Sequence, residues 1–428
     1  MREPRVAFYG DDFTGSVDAL LQFARRGWSG RLFVGLPDQA TLLRAAATHD
    51  VVGVAGVARS LPTAELDGEV EPVLRRLAAL RPHLVQYKAC STADSSPEVG
   101  SLGRVIELGR RIVSDRPVPL LFAQPDFGRY TAFGHHFAAE SGVVHRLDRQ
   151  PTMSAHPSTP MTESDLAVHL GRQTALTVGS LPWTAYGSPA VIAERLRGSD
   201  AAAVVLDALD DGHLSAIGAA LLGIEAPVFA IGSGGLSQAV AVAAPRSAVR
   251  LPTRTEARGP VLAVSGSRSP QTRRQADRAA AAGWLVRPLA AGGSEGEDGS
   301  GDADVLEALG AGRSIVLTSD DADLAQASPA ATLDVIARAA AATVARVLRA
   351  GATRRVVVCG GDSSSRVTTL LGVDSLSIAA NPWANVVLLR AHSADPAVDG
   401  AELLLKGGQV GDDDLFERVR ELGLPTEG

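Results

Sequence analysis

The chain has 428 residues, a formal net charge of −7 and 4% aromatic residues; this length accommodates two or three domains with full cores, while the negative charge and scarce aromatics argue against general nucleic-acid binding. Its two cysteines, Cys90 and Cys359, exclude a disulfide scaffold and fit a reducing cytoplasm. Met1–Pro4 runs into an apolar strand without a signal-peptide pattern, and no uncharged apolar run approaches the roughly 18 residues of a membrane span, so the expectation is a cytoplasmic protein with no membrane partner, for which homo-oligomerisation stays open.

Short apolar runs separated by amphipathic stretches predict strands at Val6–Tyr9, Arg31–Val34, Val51–Val57, Leu84–Lys88 and Leu120–Ala123. Helices are predicted at Ser16–Arg26, Ala64–Leu80 and Leu102–Ser114. Runs of this length, bounded by turn signals and separated by helices, specify a mainly parallel sheet. Phe127–Asp165 breaks the rhythm with three histidines by His145 and the run DRQPTMSAHP, and reads as a long irregular segment of functional character. Strands resume at Ala202–Leu206 and Pro227–Ile231, with a helix after Leu236. The polar, proline-containing segment Leu251–Arg258 is the expected domain boundary. A second series follows: strand Val261–Ser265, helix Gln271–Ala282, strand Trp284–Pro288, strand Ile315–Thr318, helix Thr332–Ala350, strand Val356–Cys359, a helix from about Arg366 and a last helix at Asp414–Leu422. Ala291–Asp302 is rich in Gly, Asp and Glu and reads as a mobile loop. The fold class expected is two α/β/α domains, 1–250 and 251–428, with an interdomain cleft.

The chemistry-bearing segments sit at predicted strand ends, where doubly wound sheets bind ligands. Tyr9–Asp18 carries Asp11 and Asp12; one carboxylate is free to face a ligand while its neighbour caps the next helix, although the segment alone also reads as an ordinary cap turn. Lys88–Ser96 supplies a lysine followed by hydroxyls, and Arg59 follows another strand; both suit a carboxylate or polyol, and both are also ordinary surface charges. In the second half, Ser265–Pro270, Cys359–Ser365 and Lys406–Gly411 are three small-residue turns at strand ends, a pattern that lets backbone amides reach phosphates. There is no GxxxxGKS/T, GxGxxG, CxxC or HExxH, so no P-loop, dinucleotide fingerprint or zinc signature. Ser267 lacks partners that would make it a hydrolase nucleophile.

These segments together resemble the four-carbon acid sugar kinase family over nearly the whole chain. The resemblance rests on Gly10–Asp18, Lys88–Ser95, His156–Met161, Ser265–Gln275, Gly360–Ser364 and Lys406–Gly411. It implies an acid-sugar-binding domain at 1–250, a nucleotide-binding domain at 251–428, and ATP and Mg²⁺ as cofactors. Carried over residue by residue, Asp12, Arg59, Lys88, Cys90 and Ser91 line the sugar-acid site, and Ser267, Gly360, Gly361, Asp362, Ser363 and Gly408 bind ATP. Cys90 stands where some members carry Asp, Ser363 replaces a Thr, and the last turn reads GGQVG rather than GNFG. The Tyr130–Met161 segment is similar to members acting on 3-oxo-isoapionate.

The expected mechanism is positioning and charge neutralisation. Arg59 and Lys88 hold the acid, Asp12 accepts the proton of the attacking hydroxyl, and domain closure excludes water. Asp11 and Asp362 are the alternative bases. Two rival functions predict different behaviour: a nucleotide-dependent oxidoreductase, which the missing GxGxxG opposes, and a non-catalytic sugar-acid sensor, which would bind without ATP turnover.

Overall fold

The computed structural model describes residues 5–245, 251–255, 257–267, 269–289, 300–319, 329–383 and 386–422. The chain divides into two compact units, Met1–Arg250 and Leu251–Gly428. Most of the expected loop at Ala291–Asp302 lies outside the described residues; its last part already belongs to the helix Ser300–Gly310.

In the first unit the strands are β1 (Val6–Gly10), β2 (Gly30–Val34), β3 (Val51–Ala55), β4 (Leu84–Lys88), β5 (Val118–Leu121), β6 (Arg129–Ala132), β7 (His135–Glu140), β8 (Val143–Arg146), β9 (Val178–Leu181), β10 (Ala203–Leu206) and β11 (Val228–Gly232). Eight of them form a parallel sheet in the order β2-β3-β1-β4-β11-β5-β10-β9. β1, β3, β4 and β11 are buried along their whole length, which is why they read as mainly apolar runs and not as alternating ones, with buried Gln86 and Lys88 of β4 as the polar exceptions. One face packs Ala7, Tyr9, Val85 and Tyr87 against Leu66, Val70, Leu102 and Val105 of the helices Leu66–Ala78 and Leu102–Ile112. The helix Phe13–Ala24 packs with Gly234–Ala243 on the other. The chain leaves β1 toward β2 on one side of the sheet and leaves β4 toward β5 on the other. The carboxyl ends of these neighbouring strands therefore frame a topological switch point, the place where such sheets take ligands.

Phe127–Asp165 is not irregular. It contains β6, β7 and β8, a three-stranded antiparallel sheet with His136 opposite Thr131 and Val144 opposite Ala139. Its turns use left-handed residues at Phe133, Gly134, Ser141 and Gly142. Turns with non-glycine residues at positive φ carry no Asn-Gly or Asp-Gly signature, so the sequence gives little sign of these hairpins.

In the second unit the strands are β12 (Val261–Ser265), β13 (Leu285–Pro288), β14 (Ile315–Thr318), β15 (Arg355–Cys359), β16 (Val373–Trp383), β17 (Val386–Ser393) and β18 (Glu402–Lys406). β13-β14-β12-β15-β18 are parallel; β17 then β16 continue the sheet antiparallel. Val261, Val316, Val357 and Leu404 pack with Ala276, Leu415 and Phe416. At the amino end of β15, Arg355 and Glu402 form an ion pair at 2.9 Å, each side chain only 3% exposed. Thr255 donates to the carboxylate, and the guanidinium reaches the carbonyls of Ala257 and Val419.

Candidate active site

β1 ends at Gly10, and the next two side chains diverge as strand alternation requires. Asp12, in extended conformation, caps the helix Phe13–Ala24: its Oδ1 accepts from the Gly15 amide at 3.2 Å and its Oδ2 from the Thr14 hydroxyl at 2.6 Å. Arg59 Nη2 lies 3.1 Å from the same Oδ2. A Cβ at residue 15 would stand 2.3 Å from Asp12 Oδ1 and 2.7 Å from Lys88 Nζ, so glycine is what lets the lysine and the carboxylate share that turn. Lys88 is buried at the end of β4 and gives one of its three protons to Ala89 O at 2.8 Å. Burial pushes the Asp12 carboxyl up, but Arg59, Lys88 and the two hydrogen bonds outweigh it and hold the group below the usual carboxylate range.

Asp11 is the opposite case. It is 2% exposed, and its Oδ1 has no hydrogen-bond partner. Burial, reinforced by the Asp12 charge and opposed by Arg59 and Lys88, pushes its carboxyl up to about 8. At neutral pH Asp11 is a neutral acid beside an ionised Asp12. The main chain fixes it: its amide donates to Lys88 O at 3.0 Å, and its carbonyl accepts from the Arg59 amide at 3.1 Å.

Cys90 follows β4 with its Sγ 3.1 Å from Thr92 Oγ1. Burial, then the Asp94 charge, pushes the thiol up to about 11 despite Arg59 and Lys88, so it is uncharged. Ser91 is half-buried in the same turn. The loop is anchored from behind, where Ser95 Oγ lies 3.2 Å from His169 Nε2 and accepts from Gln173 Nε2 at 2.9 Å. Asp12, Arg59 and Lys88 thus form one charged cluster, with the neutral Cys90 thiol beside it. Asp94, which couples electrostatically to Arg59, joins it; nothing in the sequence separated it from the hydroxyl residues around it.

In the second unit the three small-residue turns leave β12, β15 and β18, which are adjacent and in register: Ser265 faces Cys359, and Cys359 faces Lys406. Their turns interlock. Gly266 donates to Cys359 O, and Gly360 donates to Lys406 O. Ser269 Oγ and Thr272 Oγ1 each donate to Gly408 O at 2.8 Å. A Cβ on Gly408 would lie 2.4 Å from Ser267 Oγ, and one on Gly360, whose φ is +114°, would lie 3.1 Å from Ser363 Oγ and 3.6 Å from Ser267 N. Ser267, Gly360, Ser363 and Gly408 are therefore neighbours although far apart in sequence. Ser363 is buried against Gly266, so its side chain shapes the turn. Gly361 faces open space, with no atom within 4 Å of a Cβ placed there, and Asp362 is exposed in the first helical turn.

Two helices start at this edge, Pro270–Ala281 and Gly361–Leu370, and neither has a side-chain cap. The long helices of the first unit that follow β1, β2, β4 and β10 are capped by Asp12, Asp38, Ser101 and Asp210. Uncapped N-termini on small-residue turns leave amide donors for an anion. Sequence reasoning named this motif but missed Lys406: it is buried, and its Nζ donates to Thr272 Oγ1 at 3.1 Å and Gly407 O at 3.2 Å, tying two turns together. Gln275 likewise reaches the carbonyls of Val410, Gly411 and Asp412. Among the described residues no group of three or more His, Cys, Asp or Glu is arranged to hold a metal ion, and no helix is long and apolar enough to cross a membrane.

Residues 6–240 match the model of a sugar-binding N-terminal domain, and residues 262–416 that of a nucleotide-binding C-terminal domain. The chain is 38% identical to a 3-oxo-isoapionate kinase of Paraburkholderia graminis, over 97% of this chain and 94% of that one. It is 31% identical to a 3-oxo-tetronate kinase of Cupriavidus necator, over 98% of each. The solved structure of a Haemophilus influenzae protein has the same fold, with a TM-score of 0.76 at 21% identity over 98% of this chain and 100% of that one. With its sugar-binding domain preceding its nucleotide-binding domain, the chain belongs to the four-carbon acid sugar kinase family.

Proposed function

We propose that the chain is an ATP-dependent kinase that phosphorylates a hydroxyl of a small sugar acid, with 3-oxo-isoapionate as its substrate. The observation that carries the reading is the pairing of chemistries: Arg59 and Lys88 gathered around an ionised Asp12 in the first unit, and uncapped helix N-termini on three interlocked turns in the second. The first suits a hydroxy acid and the second a polyphosphate. The similarity to the Paraburkholderia graminis kinase supports the choice of acid.

The nucleotide's phosphates fit the second unit because the Ser267, Gly360 and Gly408 turns are neighbours, two helices start there without side-chain caps, and the space beside Gly361 is open. Gly360, Asp362 and Ser363 complete this wall, Ser363 by holding the turn from behind. Mg²⁺ usually takes one or two carboxylates plus substrate phosphates and water. Asp362, exposed at a helix start, is the residue of that wall suited to such a role; the ion supplies charge neutralisation to the phosphates.

In the first unit Asp12 orients the attacking hydroxyl and takes its proton. Phosphoryl transfer through a loose transition state asks for orientation more than for a strong base, so a carboxylate held ionised by Arg59 and Lys88 serves. Asp11, protonated at neutral pH, has no vacancy for a proton. Lys88 and Arg59 offset the charge of the acid, while Cys90 and Ser91 present a neutral thiol and hydroxyl to its remaining groups. Measuring ADP release across four- and five-carbon sugar acids tests the reading. Acid-dependent ADP release with highest kcat/KM on 3-oxo-isoapionate supports it, and ligand binding without turnover would favour a sensor.

A further inference from the structure

Arg129 opens β6, in the hairpin inserted between β5 and β9. Main-chain bonds with Gln124 (Gln124 N to Arg129 O at 2.9 Å, Arg129 N to Gln124 O at 3.1 Å) fix it just beyond the carboxyl end of β5, on the same edge of the sheet as Asp12 and Lys88. Its guanidinium is held from one side only. Nη1 donates to the carbonyls of Phe127 and Ala139 at 3.1 and 3.0 Å, with Gly128 O at 3.4 Å, and the group lies over the Phe127 ring at 5.5 Å. Nε is buried and has no hydrogen-bond partner, and Arg129 has no carboxylate partner among the described residues.

The surroundings show which groups lie near this unpaired edge. The carboxylates whose charge Arg129 feels are Asp94 and Glu140, and the neutral Cys90 thiol lies near it as well. Glu140 is already committed to Gln150 Nε2, Thr152 N and Thr152 Oγ1. Cys90 and Asp94 belong to the loop after β4. On the strand paired with β6, buried His136 lies beside the Ser91 backbone and is held neutral by burial and by the charge of Arg129. The hairpin therefore brings a cation up to the sugar-acid loop and leaves unpaired the Nε edge that forms a bidentate fork with carboxylates. A buried donor without a partner is costly, and an anionic ligand would satisfy it.

We propose that Arg129 is a specificity-determining residue of the sugar-acid site and that its free Nε edge receives the substrate's carboxylate. Resting on the kinase reading above, this adds Arg129 as the direct carboxylate partner beside Lys88 and Arg59, the latter already paired with Asp12, which offset the acid's charge from the neighbouring strand ends. It also makes the hairpin, rather than the parallel sheet, the element that selects an acid over a neutral sugar.

The test uses the full chain and the acid that the wild-type enzyme turns over best among 3-oxo-isoapionate, 3-oxo-tetronate and D-threonate. Arg129→Met should raise KM for that acid about 10–100-fold, the value of a charge-assisted pair, with kcat and the KM for ATP within threefold, because the grip is equal in ground and transition states. Inhibition by the acid's neutral primary amide should be unchanged, which a general disruption of the site would not allow. Arg129→Lys, which keeps the charge but not the fork, should still raise KM about tenfold; it decides the matter if the Met variant does not fold. A KM within threefold of wild type in either folded variant overturns the assignment while leaving the kinase reading intact. A wild-type enzyme inactive on every acid removes that reading and this inference together.

Discussion

Asp11 and Asp12 are adjacent and chemically identical, yet their environments drive them apart. Asp12 meets a guanidinium, an ammonium, an amide and a hydroxyl; Asp11 meets burial and its neighbour's negative charge. Asp12→Asn keeps the cap and removes the basicity, so turnover should fall on the order of 10²–10⁴-fold with the KM for ATP unchanged. Near-normal turnover in the folded variant would leave Asp12 as a cap alone. For Asp11 the consequence concerns stability. Its folded-state pKa of about 8 lies above the ordinary aspartate value of 3.8, so between those values the native state holds a proton that the unfolded chain has lost, and stability drains as pH rises through that window. Asp11→Asn should therefore melt higher than wild type at pH 8, with the gap closing toward pH 4; thermal melts at both pH values check this, and an equal or lower melting temperature at pH 8 contradicts it. The sequence exposed this pair through its place at a strand end. It did not reveal which carboxylate stays charged, because that depends on Arg59 and Lys88 arriving from other strands.

At the scale of elements, parallel strands such as Leu84–Lys88 and Val261–Ser265 were fully legible, since burial on both faces makes them mainly apolar runs. The β6–β8 hairpin was not, because its strands are short and half-exposed and its tight turns lack the usual glycine pairs. The helix after β15 was expected from about Arg366 and begins at Gly361; Gly, Asp and Ser there look like loop in sequence but form an uncapped first turn. That turn yields a sharp test. Gly361 has open space around a would-be Cβ, so Gly361→Val should fold normally yet obstruct the phosphates, raising the Kd for ATP at least tenfold without altering sugar-acid binding. Unchanged ATP affinity by calorimetry would move the nucleotide elsewhere. At the far end of the same strand, Arg355 and Glu402 act on stability. Removing one partner of a buried pair strands the other charge, so Glu402→Ala should cost about 3–5 kcal/mol in denaturant unfolding; a loss under about 1 kcal/mol would mean the arginine finds water instead.

For the whole molecule, composition and alternation gave the α/β class, and the order of modest motifs gave the family. Convergence of the Ser267, Gly361 and Gly408 turns was expected from their shared place at strand ends, but its cause was not legible: the turns meet because β12, β15 and β18 lie side by side, and sequence order does not state sheet order. The substrate is similarly remote from sequence, since Cys90 stands where some members carry Asp and Arg129 comes from the hairpin between β5 and β9. The central claim is that the γ-phosphoryl group of ATP moves to a hydroxyl of a sugar acid. Phosphorus NMR with mass spectrometry, on the purified chain with Mg²⁺, ATP and 3-oxo-isoapionate, follows that group directly. The account predicts one phosphomonoester of the acid formed per ADP, and negligible inorganic phosphate. Inorganic phosphate as the sole product, or no ADP at all while the acid binds, would contradict it.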